Sequence, residues 1–248
     1  MPGLLGYGVG VATAAMAVLA LVSTLIGWPA WQTAGPIALE SGDTANHTHW
    51  ATYRAPIIVL GISYTATAVA FVPYTIFWFD YIARGLSAGI RQAAMCWMLF
   101  GIAAAAGPLL CAQMAGRMGT VRALRWALMA NCLAVVLPLA SSRLSSLTVS
   151  SIGAGSMGLG IPFLTATRAR EISPPGGHQR LWAGMTIIYA IAYAAAGWVF
   201  SSVFAAVQSY RFLFAWSGVA LLAGGLTQYF GLPRVRHASE EETSSKAA

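Results

Sequence analysis

The chain has 248 residues, of which 58% are hydrophobic and only 8% are charged, and its formal net charge is +7. About a quarter of the residues in a soluble domain are charged, so this composition excludes an ordinary soluble protein and predicts that lipid is the solvent. The basic residues are scattered between apolar segments and are not clustered with aromatic residues, which argues against nucleic-acid binding.

Seven apolar segments predict seven transmembrane helices, because a helix needs about 20 apolar residues to cross the hydrocarbon layer. They run over residues 4–27, 56–79, 94–113, 124–141, 147–166, 181–206 and 212–231. Continuous apolar runs favour helices, since the strands of a membrane barrel would alternate every second residue. The predicted fold class is therefore all-α, in a polytopic membrane protein.

The segments also predict how the chain is organised. Residues 1–27 are expected to form a first transmembrane helix and not a cleaved signal peptide, because the apolar run is long and has no basic residue at its start. Residues 28–55 contain acidic and turn-forming residues and predict a cytoplasmic linker loop. Residues 56–231 form the predicted six-helix unit, and the polar residues 232–248 predict a cytoplasmic disordered tail.

The basic residues predict the orientation, because cytoplasmic loops are enriched in lysine and arginine. With a cytoplasmic C-terminus, ten of the fourteen lie inside: Arg54, Arg117, Arg122, Arg125, Arg168, Arg170, Arg180, Arg234, Arg236 and Lys246. The outside loops then hold Arg84, Arg91, Arg143 and Arg211. The bias predicts that the C-terminus is cytoplasmic and, with seven spans, that the N-terminus is external.

Enzymatic chemistry finds little support in the sequence. All four histidines lie in predicted loops or in the tail, so Ser156 in GAGSMGLG has no histidine at depth to activate it as a protease nucleophile. The glycines around Ser156 indicate helix packing or a flexible span instead. The only lysine, Lys246, lies in the tail, which excludes a buried retinal Schiff base. We predict a protein that is not an enzyme and that needs no cofactor.

Neither the histidines nor the cysteines predict a metal site. His47 and His49 could bind a metal weakly, but two histidines in a loop rarely suffice. Cys96, Cys111 and Cys132 are odd in number and not closely spaced, so they form neither a disulfide framework nor a zinc site. They are predicted to pack in the interior.

Asp80 is the only acidic residue at the edge of a predicted span. At about 1.5 Å per residue it lies about 35 Å along the helix from Pro56, near the outer interface. Arg84 follows at ion-pair spacing. Two interpretations stay open: an interfacial ion pair that ends the helix, or a proton-coupling or substrate site, as carboxylates within membranes often are.

Two groups of residues are candidates for lining a solute cavity. Pro73 should kink its helix and free a backbone carbonyl, and it has Tyr64, Phe71 and Thr75 in its neighbourhood. In the sixth span, Tyr189 and Tyr193 share a face by their spacing of four residues. The hydroxyls need a partner within hydrocarbon, but helix packing explains the same residues equally well.

Residues 107–124, GPLLCAQMAGRMGTVRAL, contain Gly107, Gly116, Arg117, Gly119 and Arg122 in a short basic turn between two apolar segments. This turn is similar to the G-x-L-x-D-R-x-G-R-R type signature of major facilitator superfamily transporters. Arg117, Gly119 and Arg122 match it, whereas Gly116 stands at its acidic position and Thr120 and Val121 at two basic positions. Residues 64–86, 167–197 and 210–226 resemble the YbfB/YjiJ-like bacterial subgroup.

The resemblance implies the C-terminal half of a major facilitator fold, with the seven spans matching helices six to twelve. It implies secondary active, proton-coupled transport of a small organic solute across the bacterial inner membrane. Such transporters have two six-helix halves, so the chain is expected to be incomplete and to work with a missing N-terminal half or a second copy. The signature loop would be a gate latch or a topology anchor. The alternative is a non-transporting assembly subunit or a receptor built on the same helices.

Overall fold

The computed structural model describes scattered positions between residues 14 and 29, and then residues 47–173 and 177–231. The chain divides into two units, Met1–Ala45 and Asn46–Ala248. In the first unit the described positions are helical, within or just beyond the predicted span 4–27. Most of the predicted linker 28–55 and the whole predicted tail 232–248 lie outside the described residues.

The second unit contains six long helices in the described ranges, each long and apolar enough to cross a membrane. The first, α1 (His47–Val72), continues without a break through Pro73–Phe77, Trp78–Asp80 and Tyr81–Gly85. The others are α2 (Ile90–Met118), α3 (Thr120–Ala140), α4 (Leu144–Glu171), α5 (His178–Val207) and α6 (Tyr210–Phe230). These helices confirm the prediction of an all-α polytopic fold.

Helix α1 begins earlier than the apolar pattern predicts. It starts at His47 and contains Pro56 in its interior, so residues 47–55 are helical where the sequence predicts part of a cytoplasmic linker. Hydropathy locates only the stretch of a helix that crosses hydrocarbon, and the polar residues before Pro56 extend the same helix beyond it. The backbone of residues 47–53 is described, but the side chains of His47 and His49 lie outside the description.

At Pro73, where the sequence predicts a kink, the helix changes its hydrogen-bond pattern. Residues Pro73–Phe77 form a π-helical stretch, and Tyr81–Gly85 form a second one. Proline has no N–H to give to the carbonyl four residues earlier, so the regular hydrogen-bond ladder cannot continue through it. The Thr75 hydroxyl lies 3.2 Å from the Phe71 carbonyl oxygen and 3.1 Å from that of Val72, and donates to this pair.

Small residues set how closely the helices approach. Helix α2 packs along α4, α3 packs on α4 and α6, and α1 packs on α5 and α6. At Gly107 a side chain would collide with the backbone of Ser156, and at Gly155 it would collide with the backbone of Phe100. The interpretation of the glycines around Ser156 as packing residues is therefore confirmed. The three cysteines are also buried, as predicted.

The turn between α2 and α3 consists of Gly119, with φ +84° and ψ +152°. This backbone region is open to glycine but strained for other residues, by about 1–3 kcal/mol. We expect Gly119→Ala to lower the free energy of unfolding by about this amount, measured as thermal unfolding of the purified protein. Gly116→Ala is the matched control, because nothing lies within 4 Å of its added Cβ. Equal stability of the two variants would contradict the prediction.

Candidate solute-binding face between α1 and α5

The predicted tyrosines of α1 and α5 meet where these two helices pack. The ring centroids of Tyr64 and Tyr189 are 4.6 Å apart, and those of Tyr189 and Tyr193 are 6.4 Å apart. Tyr64 is buried, whereas Tyr189 and Tyr193 are half-buried. The two predicted groups, one on each helix, therefore form a single aromatic surface, which we call the α1–α5 seam. It comprises Tyr64, Thr75, Trp182, Tyr189 and Tyr193.

A hydrogen bond joins the two helices within the seam. The hydroxyls of Thr75 and Tyr193 are 2.6 Å apart. Thr75 belongs to the π-helical stretch that begins at Pro73, so the disturbance that proline causes in α1 lies where the polar contact to α5 is made. The structure thus brings together four of the five predicted cavity residues.

The fifth residue, Phe71, lies on the same face of α1 but has different neighbours. Its ring is 6.0 Å from that of Phe100, which in turn stacks on Trp97 at 5.1 Å. Phe71 also lies against Gly158 of α4. Phe71 therefore continues the aromatic surface from α1 towards α2 and α4, and it does not contact the tyrosines of α5.

Trp182 belongs to the seam although it was not among the predicted residues. Its ring centroid lies 6.0 Å from that of Tyr64. A signal for it exists in the sequence, because Trp182, Thr186, Tyr189 and Tyr193 follow each other at spacings of four, three and four residues, which is one face of a helix. The full stripe, and not only the tyrosine pair, marks this face of α5.

Charged side chains are absent from the membrane-spanning depth of the seam. In the described sequence, α1 carries no charged residue between Arg54 and Asp80, and α5 carries none after Arg180. Of the acidic residues, only Asp80 and Glu171 fall within the described ranges. The seam can therefore offer ring faces and hydroxyl groups to a ligand, but no ion pair.

Asp80 lies at the opposite end of α1 from Pro56 and forms the predicted ion pair. Its Oδ1 is 3.2 Å from Nε of Arg84, whose side chain is 83% exposed, while its own side chain is 34% exposed. The hydroxyl of Tyr210 donates a hydrogen bond to Oδ2. Tyr210 could not be predicted from the sequence, because this contact joins residues 130 positions apart. Asp80 thus ties the end of α1 to the start of α6.

The apolar helices belong to a chain that matches a known family of transporters. A family model described as "Uncharacterised MFS-type transporter YbfB" matches residues 5–228. The chain belongs to the major facilitator superfamily, in its YbfB-like group. The match confirms the resemblance of the sequence, and with the six membrane-spanning helices it makes this chain a multi-pass membrane protein of a family of transmembrane transporters. A search of curated proteins finds no significant match.

The signature loop of this superfamily is the turn around Gly119. Arg117 and Arg122 are exposed on either side of it, and Gly116 has open space around its Cα. Thr120, at a position where the signature has a basic residue, donates a 2.5 Å hydrogen bond to Oε1 of Glu171. Glu171 also forms a 2.8 Å ion pair with Arg168. A carboxylate from the end of α4 therefore contacts the turn that lacks its own acidic residue.

A concave surface lies between α1, α5 and α6, apart from the seam, and has a different chemistry. It encloses about 440 Å³ and its lining is almost entirely hydrocarbon. The lining residues are Val69, Val199, Phe200, Val203, Phe212, Trp216, Val219, Ala220 and Ala223. None of the predicted cavity residues belongs to it, so the polar groups that could orient a solute are found in the seam and not in this groove.

Proposed function

We propose that the chain mediates secondary active transport of a small organic solute in the bacterial inner membrane and catalyses no chemical reaction. The observation that carries this proposal is the α1–α5 seam, in which tyrosine hydroxyls and ring faces meet within membrane-spanning helices of a transporter family. Polar groups at such depth require partners, and a solute in transit supplies them.

We further propose that this six-helix unit works against a second one, either an N-terminal half or a second copy of the chain. Alternating access in such transporters comes from rocking of two units around a site at their interface. Helix α5 supports this, because only 11% of the most apolar stretch of this helix is buried against the rest of the protein. Its exposed residues include Ile187, Ile191 and Trp198, so a large part of α5 remains available to lipid or to a partner unit.

The orientation we propose places the Gly119 turn and the C-terminus in the cytoplasm. The ends of α2, α3 and α4 that meet through Thr120 and Glu171 carry Arg117, Arg122, Arg125, Arg168 and Arg170. At the opposite end of the unit, where Asp80 at the end of α1 meets Tyr210 of α6, lie Arg84, Arg91, Arg143 and Arg211. Arg54 and Arg180 lie on the same side as the Gly119 turn. That side therefore carries more of the described arginines than the other, as a cytoplasmic side does.

The transport proposal is tested with the purified chain in liposomes. A panel of radiolabelled amino acids, sugars, nucleosides and aromatic amides would be offered with and without an inward pH gradient. We expect saturable uptake of at least one solute above that of protein-free liposomes. Absence of uptake across the panel, with the protein folded, would contradict transport by copies of this chain alone, and would leave a separate N-terminal half or the assembly-subunit or receptor alternative.

Proton coupling is proposed to depend on Asp80, which is held by Arg84 and Tyr210. Protonation would remove the charge that holds Arg84 and loosen the link between α1 and α6. We expect Asp80→Asn to abolish the stimulation of uptake by the pH gradient, because asparagine cannot exchange a proton. Tyr210→Phe is the control, since it removes the hydrogen bond and keeps the carboxylate. Unchanged uptake and pH dependence in Asp80→Asn would rule out this role.

A further inference from the structure

Two tyrosine hydroxyls of the seam have no hydrogen-bond partner among the residues that the structure describes. The rings of Tyr64 and Tyr189 pack against each other at 4.6 Å. Within the described ranges the only fully enclosed side-chain polar atom without a partner is Nδ1 of His178, so neither tyrosine hydroxyl is fully enclosed. A hydroxyl at membrane depth is stabilised only by a hydrogen bond. Both hydroxyls therefore have a donor and acceptor capacity that a ligand can use.

Tyr193 adds a hydrogen-bond acceptor to the same surface. The hydroxyl of Thr75 has one hydrogen, which it can donate to the carbonyl oxygens of Phe71 and Val72 at 3.2 Å and 3.1 Å. In the 2.6 Å contact between the Thr75 and Tyr193 hydroxyls either oxygen can be the donor, and in both arrangements the Tyr193 oxygen keeps a lone pair. The half-buried side chain of Tyr193 leaves this lone pair accessible.

The shape of the seam favours a flat ligand. Trp182 and Tyr189 flank the buried ring of Tyr64, with centroids 6.0 Å and 4.6 Å from it. Aromatic rings prefer offset or edge contacts with other rings at such separations. A planar solute can extend this group by stacking on the half-buried rings while its polar edge meets the hydroxyls.

The charge of the seam favours a neutral ligand. No charged side chain of α1 or α5 lies between the two helix ends in the described ranges. Moving an ion into such surroundings without a counter-charge is costly. A carboxylate would find no cation, and an ammonium or amidinium group would find no carboxylate, at the depth of Tyr64 and Tyr189.

We propose that the α1–α5 seam binds a flat, uncharged solute with hydrogen-bonding groups at one edge, of the aromatic amide or heteroaromatic class. This inference rests on the proposed transport function and narrows its substrate. The rings supply stacking, the hydroxyls of Tyr64 and Tyr189 supply hydrogen bonds, and the lack of charge discriminates against ions.

The test uses three planar probes of the same size that differ in charge: neutral benzamide, anionic benzoate and cationic benzamidine. Binding to the full chain in lipid nanodiscs would be measured by saturation-transfer NMR, which detects weak ligands. We expect benzamide to bind and both ions to bind at least roughly tenfold more weakly, since an unpaired ion pays a desolvation penalty. Binding of either ion as tight as that of benzamide overturns the proposal, and so does the absence of a benzamide signal.

Conservative variants locate the binding. Tyr64→Phe and Tyr189→Phe keep the rings and remove the hydroxyls, and each is expected to weaken benzamide binding by roughly three- to tenfold, the worth of one hydrogen bond. Tyr229→Phe is the matched control, because Tyr229 is exposed on α6 and its hydroxyl contacts only Sδ of Met129, at 3.5 Å. Unchanged affinity in both seam variants overturns the proposal. Solute uptake by liposomes without benzamide binding would leave transport standing and remove only this inference.

Discussion

We expect Gly107→Val to destabilise the protein more than other single substitutions on α2. Even the Cβ of an alanine at this position would overlap the backbone carbonyl of Ser156 on α4. A backbone cannot turn away as a side chain can, so α2 and α4 must separate along their contact. Overpacking of this kind costs about 1–3 kcal/mol and at times more. Valine adds two methyl groups and places the expected loss at or above the upper end of this range.

The matched control for this prediction is Gly101, on the same helix. Nothing lies within 4 Å of a Cβ added there. Alanine is the better helix former by about 1 kcal/mol, so Gly101→Ala should leave the stability unchanged or raise it, whereas Gly107→Ala should lower it despite the same gain. Unfolding of Gly101→Ala, Gly107→Ala and Gly107→Val in detergent, followed by circular dichroism, gives the comparison. Equal stabilities would mean that α2 and α4 do not pack as closely as the structure shows.

The same contact shows why much of the fold was predictable from the sequence. In a bilayer the tails of the lipids are as apolar as leucine, so helices associate through close packing of small residues. The glycines around Ser156 carry that signal in the chain itself, and the apolar runs give the helices. The six spans lie where the runs predict them, and each helix begins before its run, by two residues for α6 and by nine for α1.

The boundaries were less predictable, for a physical reason. Hydropathy records the partition between water and hydrocarbon, and a helix need not end where the hydrocarbon ends. Helix α1 shows this at its start, where it begins at His47 and not at Pro56. It shows it again at the other end, where Tyr81–Gly85 continue the helix beyond the predicted boundary at residue 79.

The candidate site was predictable only as far as it follows helical periodicity. The tyrosine pair on α5 comes from its spacing, whereas the group on α1 comes from its position around Pro73, and periodicity could have added Trp182 to the α5 pair. The contact between Thr75 and Tyr193 depends on which helices are neighbours in the fold. The sequence of either helix alone does not predict it. The same holds for Asp80, whose spacing predicts Arg84 but not Tyr210.

In the signature loop, an acidic residue that the sequence lacks at Gly116 is supplied to the turn by another helix. The sequence shows Gly116 at the acidic position of the family pattern. In the folded chain the carboxylate of Glu171 contacts Thr120 at 2.5 Å and Arg168 at 2.8 Å. The turn is therefore joined to the end of α4 within its own six-helix unit. This contact favours the interpretation of the loop as an anchor, whereas a latch would have to reach a second unit.

A comparably large effect is expected from Trp78→Ala. Trp78 is fully buried, stacks on Tyr74 at 4.6 Å and meets Phe214 edge-on at 5.5 Å. Its indole Nε1 donates a 3.0 Å hydrogen bond to Oγ of Ser151 on α4. Removal of the ring leaves a cavity among α1, α4 and α6 that their backbones cannot close. Truncation of a buried tryptophan costs about 3–5 kcal/mol.

Trp198→Ala is the matched control, because it removes the same side chain from an exposed position and not from the core. Trp198 is 74% exposed on α5, so it takes little part in the packing of the six-helix unit, and its loss should change the stability of that unit little. Ser151→Ala isolates the hydrogen bond of Trp78, expected to be worth about 0.5–1.5 kcal/mol. If Trp78→Ala cost no more than Ser151→Ala, the hydrogen bond and not the ring would hold α1 to α4. Since the ring also contacts Phe214, we expect the larger share of the loss to come from packing, and to appear as a lower unfolding temperature in both detergent and nanodiscs.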